Sequence, residues 1–133
     1  MNSVALSFVL FAAVVLANPV QDRWNNVHQK CQQSSNTYVP DEIFNQLKRG
    51  EKPSLPANFG RHANCMLVNL DLQDQQGNIL SEGVRKAAQN QFSDATKVNQ
   101  IVDNCSFSKG DKETNAMKLF ECFGKNRVNI GQL

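Results

Sequence analysis

The sequence predicts an all-α domain of six short helices. Three observations support this. Apolar residues recur at three- and four-residue steps in one segment after another. No stretch alternates apolar and polar residues with period two. Prolines, glycines and small polar clusters punctuate the chain at helix-length intervals. With 133 residues, 41% hydrophobic and 20% charged, the chain has the size and composition of one globular domain.

Val4 to Ala17 is a nearly unbroken apolar run, too short to span a bilayer and closed by small residues. Residues 1–17 are read as a signal peptide, leaving 18–133 as a single domain in a secreted, oxidising setting. Asp22 to Gln33 is the first helix, with Trp24, Val27, His28 and Cys31 on one face and an acid at its positive end. Ser34 to Thr37 breaks it. Pro40 opens the second helix, Asp41 to Arg49, which has acids first, bases last, Gly50 as terminator and Ile43, Phe44 and Leu47 inward. Glu51 to Pro56 is a loop.

The third helix runs from about Ala57 to Gln73, with Phe59, Ala63, Met66, Leu67 and Leu70 as its stripe and Cys65 beside it. Asp74 to Asn78 is a turn. Ser81 is expected to cap a fourth helix, Glu82 to about Phe92, in which Val84, Ala87 and Ala88 face in. Gly83 is a poor choice for its first turn. Ser93 is expected to cap a fifth, Asp94 to Cys105, carrying Ala95, Val98, Ile101 and Val102. Gly110-Asp111 starts a sixth, running to Phe123 before Gly124, with Ala116, Met117, Leu119 and Phe120 inward. The tail from Asn126 to Leu133 carries Val128 and Ile130.

Cys31, Cys65, Cys105 and Cys122 read as two disulfides, for which the count alone leaves three connectivities open. His28-x-x-Cys31 and His62-x-x-Cys65 form a Cys2His2 zinc set on paper, but an oxidising setting consumes the thiols, so no metal is expected. If Cys31 bonds Cys65, the two histidines come close together, and protonating both near pH 6 would loosen that contact. Asp71 to Glu82 has the length of an EF-hand loop, but its glycine is one place late and glutamines stand where carboxylates are needed. Asn104-Cys105-Ser106 matches a glycosylation sequon with a cysteine in its middle. No nucleophile–base motif or phosphate-binding glycine loop is present, so neither an enzyme nor a cofactor is expected. The net charge of +2 is spread among acids, which argues against a nucleic-acid partner, and no segment asks for stable membrane insertion.

Six helices, a signal peptide and these cysteine spacings together resemble the insect odorant-binding and pheromone-binding proteins, in the four-cysteine (minus-C) subclass. In six-cysteine members the second and third cysteines are separated by three residues and the fifth and sixth by eight. Cys31, Cys65, Cys105 and Cys122 match the first, third, fourth and sixth. Arg61 then falls at the second position and Glu113 approximately at the fifth. The 39 residues between Cys65 and Cys105 lie within the family's range. The chain departs from the family's more common acidic balance.

The resemblance implies the pairing Cys31–Cys65 and Cys105–Cys122. It also implies an apolar internal cavity and a secreted carrier of small hydrophobic ligands such as odorants, pheromones or similar volatiles, with a membrane chemoreceptor as a further partner. Eight Phe and three Met suit the lining of an adaptable pocket. The expected wall is Phe44, Leu47, Phe59, Met66, Leu70, Val84, Ala88, Phe92, Ile101, Met117, Phe120 and Phe123, with Ile130 as a lid. The opposite charges of Arg61 and Glu113 predict a salt bridge where two cysteines are missing. Two other roles fit the same features: a lipophile carrier in haemolymph or a glandular secretion, and a secreted helical interaction protein with a filled core.

Overall fold

The structure, a computed structural model, describes residues 18–106 and 109–131. The signal-peptide segment 1–17 lies outside the described residues. Six helices follow one another: α1 (Pro19–Gln32), α2 (Asp41–Lys48), α3 (Phe59–Asn69), α4 (Ser81–Gln89), α5 (Ala95–Cys105) and α6 (Lys112–Asn126). Among the described residues there is no strand, only an isolated bridge between Gln73 and Ile79.

Helix ends differ from the sequence reading where capping chemistry lies just outside the periodic stripe. α1 begins at Pro19, ahead of the expected Asp22, because Asn18 accepts a hydrogen bond from the Gln21 amide at 3.1 Å and Pro19 suits the first turn. α3 stops at Asn69, short of the expected Gln73. Asp71 turns left-handed there (φ 59°), and the Leu72 amide reaches back to the Leu67 carbonyl at 2.9 Å. That is a Schellman closure with aspartate in the place glycine usually takes. α6 passes through Gly124, where an end was expected, and closes the same way at Arg127 (φ 56°). Ser81 is the first residue of α4 and makes no side-chain cap; α5 is capped by Asp94, not Ser93, through the Thr96 amide at 2.9 Å.

Gly83 has a packing reason. A Cβ there would stand 2.2 Å from the Asp71 carbonyl oxygen, so α4 approaches the end of α3 more closely than any other residue permits.

The core is one continuous cluster from Trp24 and Val27 through Met66 and Leu67 to Ile101, Leu119, Phe123 and the tail residues Val128 and Ile130. A smaller cluster of Val39, Phe44 and Phe59 sits under α2. The Cys31–Cys65 disulfide ties α1 to α3, and Cys105–Cys122 ties α5 to α6. Each bond therefore closes within its own half of the chain.

No disulfide joins the halves. The Gln73 amide donates to the carbonyls of Gly77 (3.0 Å) and Lys112 (2.8 Å), and its oxygen accepts from Asn64 at 2.9 Å. Asn115 donates to Gly77 (2.9 Å) and Gly110 (3.0 Å) and accepts from the Gly110 amide at 3.0 Å. Both amides are only 2% exposed, and each uses its oxygen and its nitrogen. They fasten the 73–79 turn to the start of α6. Asp74, first in that turn, accepts from the Gln76 and Asn78 amides and so spends its carboxylate on the backbone.

Candidate functional site

The thirteen residues expected to line one cavity are dispersed over several places in the fold. Met66, Val84, Ala88, Ile101 and Phe123 are at most 2% exposed and pack against one another in the main core. Leu47, Phe59, Met117 and Phe120 converge on a cleft of about 590 Å³ between α2, the start of α3 and α6. Leu70 and Ile130 line a second cleft of about 390 Å³, walled by α1, the end of α3, α4 and the tail. Phe92 is partly buried at the edge of the core, with the Lys97 ammonium 5.6 Å above its ring.

Phe44 belongs to an aromatic group beside the Cys31–Cys65 bond. Its ring centre lies 4.8 Å from His28, 5.0 Å from His62 and 5.8 Å from Phe59. The two histidine ring centres are 5.1 Å apart, a meeting that the Cys31–Cys65 bond allows. His28 faces Asp41 at 3.3 Å, and His62 Nδ1 donates to the Thr37 carbonyl at 2.7 Å. Burial drives the pKa of His62 from 6.5 down to about 4, because the Thr37 bond only partly offsets the loss of water and His28 adds like charge.

The α2/α3/α6 cleft has an apolar floor and a charged rim. Leu55, which the sequence reading left in a loop, and Ala57, which it placed at the start of the third helix, complete the floor. Leu55 is 42% exposed, an apolar side chain between two prolines with no helical repeat to mark it. Glu113, Lys118 and Glu121 stand on the rim. Arg61 and Glu113 do pair, at 3.3 Å, with side chains 59% and 39% exposed. A pair so open to solvent contributes about 0–1 kcal/mol. Trp24 meets Phe120 edge-to-face, ring centres 6.0 Å apart, so the single tryptophan adjoins the back of this cleft.

Two disulfides on an all-helical frame, with Arg61 paired to Glu113, are the features to set beside known proteins. The chain matches the PBP/GOBP family over residues 15–126. It belongs to that family, the insect odorant- and pheromone-binding proteins. Neither curated proteins nor solved structures returned a match. The family binds and carries small ligands and is not an enzyme family, and the four cysteines fit its minus-C subclass. Among the described residues no helix is long and apolar enough to cross a membrane.

Proposed function

We propose that this protein is a secreted carrier of small hydrophobic ligands and that the α2/α3/α6 cleft receives them. The observation that carries the proposal is the convergence of Leu47, Phe59, Met117 and Phe120, from three helices, on one opening of about 590 Å³. Phe supplies area and Met supplies adaptability, which suits ligands of similar polarity and varied shape.

A volatile or fatty chain that buries on the order of 300 Å² gains roughly 7 kcal/mol at about 25 cal/mol per Å², before the cost of immobilising it. Affinity is then micromolar. Discrimination between neighbouring chain lengths is weak, since one methylene is worth about 0.8 kcal/mol. Removal of residues 1–17 would deliver the carrier to an extracellular fluid, with odorants, pheromones or similar volatiles as cargo and a membrane chemoreceptor as the point of delivery.

Displacement of an uncharged fluorescent naphthylamine, with Trp24 as an internal reporter, tests the reading. Met117→Lys should weaken binding about tenfold by placing a charge on the cleft floor. Failure of every uncharged apolar probe to bind below about 100 μM would overturn the carrier reading and favour a secreted interaction protein with a filled core.

A further inference from the structure

The second cleft differs chemically from the first. Its floor is Val20, Leu70, Leu72, Leu80, Ala87 and Ile130, and its volume is about 390 Å³. The polar groups around it divide unevenly into committed and available. Arg23 holds Asp71 at 2.7 Å, and the Asp71 side chain is 82% exposed, turned to water. Glu82 faces Arg85 at 4.0 Å and is 83% exposed. These four charges are matched within themselves. Lys86, also on the cleft, has no carboxylate partner among the described residues.

The amides on the rim point the same way. Asn129 Oδ1 accepts from the Gly131 amide at 2.8 Å, which commits its acceptor and leaves its NH₂ as the available group. Asn90, the C-cap of α4, follows Lys86 by four residues and lines the same cleft. Ala87 and Gly83 expose the floor between them, and only glycine at position 83 lets α4 sit this close to Asp71. The rim thus offers an ammonium and amide donors, while Asp71 is held by Arg23 and Glu82 is turned to water.

We propose that this cleft is a second ligand site, for an amphiphile with a carboxylate head and a short alkyl chain. The head meets Lys86 and the amides of Asn90 and Asn129, and the chain lies over Leu70, Leu80, Ala87 and Ile130. Charge-assisted hydrogen bonds at the mouth select the head, and the apolar floor takes the chain.

Decanoate, decanol and acetate share either the head or the chain, and the full-length protein can be titrated with each at pH 7. Amide chemical shifts of Gly83 report on this cleft and those of Gly60 on the α2/α3/α6 cleft. Decanoate should shift Gly83 and bind about tenfold more tightly there than decanol, with acetate causing no saturable shift. Lys86→Gln, at an exposed position, should remove the preference for decanoate and leave any decanol response at Gly60 unchanged. Ala87→Trp should fill the cleft and abolish the Gly83 response. Equal affinity for decanoate and decanol at Gly83, or a preference that survives Lys86→Gln, would overturn the proposal. Loss of binding at Gly60 alone would count against the carrier reading of the other cleft and leave this site standing.

Discussion

Acidification should destabilise this protein through one buried imidazole. His62 is 2% exposed, donates from Nδ1 to the Thr37 carbonyl and faces His28, which in turn faces Asp41. Its pKa falls from 6.5 to about 4 on folding, chiefly because burial penalises the imidazolium. Below pH 6.5 the unfolded chain takes up a proton that the folded chain refuses. Stability therefore falls as pH falls, from about 6.5 until the folded group itself protonates near 4. Linkage gives a loss of about 2 kcal/mol between pH 7 and pH 5, approaching about 3 kcal/mol below pH 4. Urea unfolding at pH 7, 6 and 5, followed by Trp24 fluorescence, measures it. His62→Gln keeps a donor for Thr37 and cannot titrate, so its loss over the same range should be smaller by about 2 kcal/mol. The two proteins are otherwise identical, so contributions from the rest of the chain largely cancel. Equal losses in the two proteins would refute the assignment to His62.

Three further outcomes follow from the structure. Replacing both Cys105 and Cys122 by Ala should cost about 3 kcal/mol, because the bond closes a loop with a separation of 17 residues; the midpoint of urea unfolding reads it. Asn115→Ala should cost about 3 kcal/mol by stranding the Gly110 amide and carbonyl, and hydrogen exchange should speed up in the 73–79 turn before it does in α5. Arg61→Cys with Glu113→Cys, once cross-linked, should raise stability and narrow the range of probes bound, since it ties α3 to α6 across the cleft edge that Gly60 and Glu113 line; an unchanged probe range in the confirmed cross-linked protein would show that the wall was already rigid.

The Arg61–Glu113 ion pair is no substitute for a disulfide between α3 and α6. Arg61 and Glu113 are too exposed for that. The buried amides of Gln73 and Asn115 join the 73–79 turn to the start of α6 through two hydrogen bonds, Gln73 to the Lys112 carbonyl and Asn115 to the Gly77 carbonyl, and four more fix the two amides within their own segments. Nothing in the local pattern marks either residue. Gln73 reads as the last residue of a helix and Asn115 as one polar position among several on α6, and only the meeting of the 73–79 turn with α6 gives them their role.

Helical periodicity is a property of neighbours three and four places apart, so the sequence alone settled the six helices and the face each one buries. It also placed His28 beside Cys31 and His62 beside Cys65 on their helices, so that once the Cys31–Cys65 bond is granted the two histidines can meet. Where α3 ends was less legible, because Asp71 adopts a conformation that most sequences reserve for glycine. Which apolar residues fill space and which border it was not legible at all. Phe59, at the start of α3, meets a cleft, and Met66, two turns on, meets solid core. Both belong to one stripe with one periodicity. The difference lies in how helices far apart in sequence cross, because a stripe specifies that a side chain leaves water and not whether another side chain or a gap awaits it.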